Sequence, residues 1–391
     1  MMKKQGKNIY LEITPFFPSD IHFVGPYIYD QVKSIERRGD FEVVVVKVVS
    51  IFDNTPAEYV YQGVRVFNFK VFDLPSSTLP GLFHKINLIR LKKFLKEVVK
   101  IDFEQIAFIH AHVAYPAGAL AADLGREHNI KNFVQHHGLD VMQLRNGRIL
   151  GGKLKEWNGK FIKRRFLKTT NGTNLNIGVS QKVVDELKKI EGFCNQNTYV
   201  LYNGVDTSKF YRIENRKKSD FFTIGCIGNF WKIKDQMTLL KALNLLLKGR
   251  CIDNIKVVFV GSGPTLGSCL SYVEENGLGK YVEFKKEIDH TQLNTFYNSL
   301  DLFVLPSYYE ALGCVYTEAL QVGVPIIAVE NQGIEELLHK EEKAFSLIPK
   351  HDEKRLADLI CWHLEKKHSL TPYDLNIDNF ISEFLSKVTD A

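Results

Sequence analysis

At 391 residues the chain is longer than one hydrophobic core usually serves, so two domains are expected. Apolar residues at 45% and charged residues at 25% suit a globular protein and exclude long disorder, and no apolar run reaches the roughly 18–20 residues of a membrane span. The net charge of +6 permits an anionic partner, but the stacked aromatic and basic motifs of RNA-binding sheets are missing, so no nucleic acid is expected.

In chain order, Met1 to Lys7 is a basic start, followed by a short strand at Ile9–Ile13. That apolar stretch is brief, carries Glu12 and lacks a small-residue cleavage site, so it does not read as a secretion signal. The six cysteines form no C-x-x-C pair and no His/Cys cluster, which reads as free thiols in a reducing, cytoplasmic compartment. Gly25-Pro26 precedes a helix-length segment, Tyr27–Arg38, and a buried strand follows at Phe41–Val49. From His84 to Lys100, Ile86, Ile89, Leu95 and Val99 fall close to helical spacing among Lys85, Arg90, Lys92, Lys93, Lys96 and Lys100. Arg145 to Lys168 holds nine Lys/Arg and one acid, Glu156. Both basic stretches read as solvated faces or, more sharply, as surfaces drawn to anionic lipid head groups at the inner face of the membrane.

Further strands are read at Ile106–Ile109, Ile177–Val179, Phe222–Ile227, Val257–Val260, Leu302–Leu305 and Val324–Val329, as short apolar runs without alternation. Helix-length segments lie between them, at Gln181–Ile190, Lys234–Lys248, Thr291–Asn298 and Val315–Val322. Alternating strand and helix predicts parallel sheets covered on both sides. The pattern restarts after a polar connector, giving domains at 1–205 and 206–371 and a C-terminal helix at 372–391 that returns to the first domain. Ligands of such sheets bind beyond the carboxyl ends of the strands, so a cleft between the domains is the expected place for chemistry.

The most informative segment runs from Leu302 to Leu320: a buried strand, a tight loop holding Glu310, and a helix starting near Gly313 that carries Glu318. Loop N–H groups and a helix start suit a diphosphate, and the two carboxylates suit sugar and ribose hydroxyls. This segment resembles the E-x7-E region of retaining glycosyltransferases of family 4, which have the GT-B fold. Four further pieces match in order: Tyr202-Asn203-Gly204-Val205-Asp206, Val260-Gly261-Ser262-Gly263-Pro264, Val282-Glu283-Phe284, and Val324 to Ala328 with Gln332 to Glu336. The resemblance implies an α/β protein of two doubly wound Rossmann-like domains facing across a cleft, with the C-terminal helix packing back on the N-terminal domain.

It also implies roles. Glu310 would contact donor-sugar hydroxyls, Glu318 the nucleotide ribose, and the backbone of Ala311, Leu312 and Gly313 the sugar or diphosphate. The family's E-G-F-G reads Glu310-Ala311-Leu312-Gly313 here. Of the family's Arg and Lys on the diphosphate, Lys234 matches the lysine and Asn229 stands in the arginine's place. His112, in His110-Ala111-His112, matches an active-site histidine; His137 and Asp140 match a loop beside the cleft; and Gly25 matches a glycine set against the diphosphate. Lys234, Glu310 and His112 are thus the expected catalytic residues. The donor is a nucleotide-diphosphate sugar, a substrate rather than a cofactor, and the acceptor a glycan or lipid-linked hydroxyl of a bacterial cell-surface polysaccharide, lipopolysaccharide or glycolipid. No metal is expected, since no D-x-D ends a strand and no His/Asp/Glu cluster shows ligand spacing in sequence. The alternatives are a nucleotide-sugar epimerase of the same architecture and a basic membrane- or nucleic-acid-binding module.

Overall fold

The computed structural model describes residues 8–22, 24–74, 79–141, 153–214, 219–249, 254–366, 370 and 372–390. The basic start Met1 to Lys7, residues 145–152 of the second basic stretch, and Cys251 lie outside the described residues.

The chain divides into two units, Met1–Asn203 with Asp378–Ala391, and Gly204–Ile377. Among the described residues the first unit has eight strands: β1 (Ile9–Thr14), β2 (Glu42–Ser50), β3 (Glu58–Tyr61), β4 (Val64–Val71), β5 (Ile106–His112), β6 (Lys131–His136), β7 (Leu175–Gly178) and β8 (Thr198–Val200), in the order β3-β4-β2-β1-β5-β6-β7-β8. All pairs are parallel except the β3–β4 hairpin, whose turn at Gln62 and Gly63 takes φ 42° and 85°. The central strand β1 is buried along its whole length. Successive side chains point to opposite faces, so Ile9, Leu11 and Ile13 enter one core with Leu88, Leu91, Leu120 and Leu124. Tyr10, Glu12 and Thr14 are thereby sent to the other face, where all three are buried.

Among the described residues the second unit has six strands: β9 (Phe222–Ile227), β10 (Ile255–Val260), β11 (Val282–Lys285), β12 (Leu302–Leu305), β13 (Ile326–Val329) and β14 (Leu347–Ile348), in the order β11-β10-β9-β12-β13-β14, all parallel. Each sheet reverses its winding beside its first strand, between β1 and β5 in one unit and between β9 and β12 in the other. Those two reversals are the places where an open parallel sheet accepts a ligand.

The unit boundaries differ from those expected at 205 and 371. Val205 bridges Asn376, and its N–H donates to the Leu375 carbonyl at 2.7 Å, so both segments belong to the second unit. The helix Ile377–Asp390 belongs to the first unit almost entirely. Phe384 is fully buried against His110, Phe133 and Tyr199, and Asp378 accepts from Ser34 and from Arg37, each at 2.6 Å.

The basic segment from His84 also differs from its sequence pattern. The helix His84–Phe94 and the π turn Leu95–Val99 bury Leu88, Leu91 and Leu95, leaving Ile86 and Ile89 exposed at 51% and 64%. Among the described residues no helix is long and apolar enough to cross a membrane.

Phe384→Ala removes a buried ring from the first unit's core and should cost about 3–5 kcal/mol. Chemical denaturation followed by circular dichroism measures this, and a loss below about 1 kcal/mol would mean the C-terminal helix is not integral to that unit.

Candidate active site

In the second unit, two loops end at the reversal point. After β9, Gly228 to Trp231 leads into a single 3-10 turn, Lys232–Lys234, and Asp235 at φ 49° hands the chain to the helix Gln236–Gly249. After β12, the chain runs through Glu310 to Gly313, whose φ of 85° opens the helix Cys314–Val322. The Ile233 carbonyl joins the loops, accepting from the Tyr308 N–H and the Ser307 hydroxyl, each at 3.0 Å. Across this junction the Lys234 ammonium pairs with the Glu310 carboxylate. Neither is lost to solvent: their side chains are 23% and 10% exposed, so the pair is held far more firmly than a surface ion pair. An ammonium has three donors and Glu310 uses one of them, which leaves capacity for an anionic ligand.

Close backbone approaches fix the loop shapes. A Cβ on Gly261 would sit 2.3 Å from the Gly228 carbonyl oxygen, and one on Gly263 2.6 Å from that of Phe230, so the Gly261-Ser262-Gly263 turn must lack side chains there. Gln236, buried at the helix start, donates to the Gly228 and Asn229 carbonyls at 3.2 Å, and the Asn229 side chain is exposed beside them. On the far side, Gln332 accepts from the Glu310 N–H at 2.9 Å. A Cβ on Gly333 would lie 1.8 Å from the Ala311 carbonyl oxygen. Leu312 is buried and anchors the loop, with Ala311 and Gly313 half-buried around it. Glu318 accepts from the buried Tyr297 hydroxyl at 2.7 Å. The structure thus joins Lys234 to Glu310 and surrounds them with Asn229 and the 311–313 backbone. The segment Gln332 to Glu336 was legible as a family piece, but not that Gln332 and Gly333 act on the Glu310 loop some twenty residues earlier; the role of Gln236 on the adjoining loop had no signal in sequence.

In the first unit, Gly25 caps the helix Pro26–Arg38 at φ 78°, and a Cβ there would come within 2.9 Å of Phe16 Cβ. His112 ends β5 and is fully buried. Its Nε2 lies 2.5 Å from Glu12 Oε1, and its Nδ1 is 2.7 Å from His137 Nε2. His137, at the end of β6, is half-buried under the Tyr27 ring at 4.9 Å. Asp140 bonds His136 Nδ1 at 2.7 Å and receives the Ala114 N–H at 3.4 Å; burial alone would push its carboxyl up and make it a weaker acid, but the His136 ring beside it holds the carboxyl below its ordinary value. Burial pushes the Glu12 carboxyl up to about 7 and the His110 and His112 rings down to about 4 and about 3. Glu12, His110 and His112 each offer a ligand atom, and these atoms lie within 4.8 Å of one another, close enough for one ion to bridge. Sequence spacing hid this group, because the glutamate comes from a strand some hundred residues earlier. A cavity of about 560 Å3 in this unit, lined by Ala107, Arg126 and Lys131, lies at the opposite, amino ends of β5 and β6.

Comparison with known proteins gives the family and the fold. Residues 24–209 match the family described as Glycosyltransferase Family 4 and residues 207–376 that described as Glycosyl transferases group 1. The chain belongs to the group 1 glycosyltransferases and has their GT-B fold. It is 28% identical over 261 residues to a glycosyltransferase assigned to teichuronic acid biosynthesis in Bacillus subtilis, covering 64% of this chain and 60% of that protein. It is 24% identical over 229 residues to D-inositol 3-phosphate glycosyltransferase 2 of Catenulispora acidiphila, covering 55% of this chain and 53% of the relative. The alignments therefore span little more than half the length of these curated relatives. Among solved structures, Anabaena HepE in complex with UDP and glucose superposes with a TM-score of 0.72 at 14% identity, covering 98% of this chain and 100% of that one. Sucrose-phosphate synthase from Thermosynechococcus elongatus gives 0.70 at 17% identity, with 98% of both chains covered.

Gly333→Ala should destabilise the second unit by roughly 1–3 kcal/mol, because a methyl cannot share the space of the Ala311 carbonyl. Gly267→Ala, in a helix where the added Cβ meets nothing within 4 Å, serves as the control and should be neutral or stabilising. Equal unfolding midpoints for the two variants would contradict the close packing of the Glu310 loop.

Proposed function

We propose that the chain transfers a glycosyl group from a nucleotide-diphosphate sugar to an acceptor hydroxyl with retention of configuration, in the synthesis of a bacterial cell-surface polysaccharide or glycolipid. The observation that carries this reading is the Lys234–Glu310 pair, built across two loops at the reversal point of a parallel sheet. The relatives support it: the Bacillus protein is assigned to teichuronic acid biosynthesis, and HepE has been solved with UDP, with UDP and glucose, and with UDP-glucose.

In the proposed reaction the acceptor oxygen attacks the sugar C1 on the face from which the nucleotide departs. The C1–O bond to the diphosphate breaks, and the departing phosphate oxygen takes the acceptor proton, so no protein nucleophile is required. The protein's part is positional and electrostatic. Lys234 would offset charge gathering on the leaving diphosphate, with Asn229 and the N–H groups from Ala311 to Gly313 as neutral donors. Glu310 would accept from sugar hydroxyls and Glu318 from the ribose. Gly25, His112, His137 and Asp140 cluster at the reversal point of the other unit and would serve substrate there. A lipid-linked acceptor is favoured by the helix at His84, which exposes Ile86 and Ile89 beside Lys85 and Lys93, an apolar strip flanked by positive charge.

A thermal-shift panel of UDP- and GDP-sugars should identify a donor by its stabilisation of the folded state. With that donor, Lys234→Ala should lower turnover by roughly 10²–10³-fold, as when one preorganised donor is removed. Wild-type turnover in that variant would sink the assignment, and conversion of donor without any transfer product would favour the epimerase. Vesicles containing anionic lipid should retain the wild type and release a Lys85→Glu, Lys93→Glu variant; equal retention of both would remove the helix at His84 from membrane contact.

A further inference from the structure

Three side chains of the first unit share a geometry that sugar transfer does not explain. Glu12 lies on β1, and His110 and His112 lie on β5. The parallel register sets Glu12 beside His110, and His112 follows two residues on, so all three point to one face of the sheet. They are 1%, 2% and 0% exposed, and the C-terminal helix covers them through Phe384, whose ring lies 6.0 Å from that of His110. A carboxylate sealed in a sheet layer costs stability unless a cation or a full set of hydrogen bonds meets it. Glu12 Oε1 has no hydrogen-bond partner among the described residues, and neither has His112 Nε2, although the two atoms are 2.5 Å apart. We propose that Glu12, His110 and His112 hold one divalent first-row transition ion, such as zinc, as a structural link between β1 and β5. The link is independent of whether the chain transfers sugar.

The donor set suits such an ion. Each residue offers a ligand atom, and these atoms lie within 4.8 Å of one another. Bonds of about 2.0–2.2 Å to one ion keep its donors within about 4.4 Å of each other, so side-chain rotations on the order of an ångström would gather the widest pair and part the crowded one. Each histidine has its Nε2 without a partner and its Nδ1 held from outside the group, His110 by the Tyr10 hydroxyl at 2.8 Å and His112 by His137 Nε2 at 2.7 Å. Metal-bound imidazoles show this division, with one nitrogen on the ion and the other fixed by a neighbour. Gln135, fully buried opposite His112 in the β5–β6 register, puts an amide on the same face as a candidate fourth donor.

Two imidazoles and a carboxylate also select among cations. Calcium takes a shell of oxygens, and magnesium keeps several waters, which a layer sealed from solvent does not supply. Zinc and its row neighbours accept nitrogen and oxygen together. Their charge would offset the buried carboxylate of Glu12. A group closed to solvent suits an ion that holds structure rather than one that activates a substrate. What it would hold is the end of β5 at the reversal of the sheet. There Val113, directly after His112, takes φ 63°, a conformation that opposes a β-branched side chain and persists only where the surroundings impose it. A linked β1 and β5 would supply that constraint.

Full-length protein purified without a histidine tag or chelator should carry about one equivalent of zinc or a row neighbour per chain, measured by inductively coupled plasma mass spectrometry. X-ray absorption at the zinc edge should show a nitrogen and oxygen shell with two imidazoles and no sulfur. Stripping with dipicolinate should lower the melting point by roughly 5–10 °C, and added zinc should restore it. Glu12→Leu combined with His110→Phe should lose the equivalent, whereas His351→Ala, at an exposed histidine of the other unit, should keep it. Protein that is metal-free as purified and takes up neither zinc nor cobalt when refolded with them would overturn the proposal, a water molecule then filling the place. So would a zinc shell with sulfur or a single imidazole, or an equivalent retained by the double variant. Metal content and absorption are read on the wild type, so they decide the matter even if the double variant does not fold.

Discussion

Both sheets are covered on their two faces, and this constraint sets where chemistry can occur. A strand paired on both edges has no free backbone groups along its length, so polar groups become available only where strands end and loops begin. In a parallel sheet the carboxyl ends gather on one side, and the reversal of strand order parts the neighbouring loops. Gly25 and His112 lie beyond β1 and β5, with His137 and Asp140 beyond the neighbouring β6, and Lys234 and Glu310 lie beyond β9 and β12.

In the second unit the loops meet through backbone rather than through large side chains. Gly261 and Gly263 let one turn rest against carbonyls of the Gly228 loop, and Gly333 lets another rest against Ala311. Such contacts leave little freedom, so the Lys234–Glu310 pair is set before any ligand arrives. Preorganised charge of this kind is what a leaving diphosphate needs, because no reorganisation then accompanies the step. The departure from the family's usual glycine at Ala311 is accommodated: the side chain is half-buried, and it is the carbonyl, not the Cβ, that makes the tight approach.

The first unit holds its site differently. Its polar side chains lie inside the sheet layer, where Tyr10 and His110, Glu12 and His112, and His136 and Asp140 meet at 2.5–2.8 Å. Buried polar groups exact a desolvation penalty whether or not they are paired, which is why such a seam is rarely kept for stability alone. The C-terminal helix closes over it through Phe384, so the last residues of the chain complete the environment of groups at its beginning.

Apolar runs without alternation made the alternating fold legible, because strands buried on both faces need no polar side. The loop from Glu310 to Gly313, the helix at Gly313 and the position of Lys234 were equally legible, since each is a local succession of strand, turn and helix. β4 and β6 were not. They carry Asn68, Asn132 and His136, polar residues that are buried against Pro56, against Asn174, and against Asn176 and Asp140 respectively. Nor could sequence show that Ile86 and Ile89 face outward, that the second unit keeps residues 372–377, or that Glu12 meets His112. Local chemistry determines which segments become strands and where loops can bind. The pairing of side chains far apart in the chain is decided by strand order and register, which exist only once the sheet has formed.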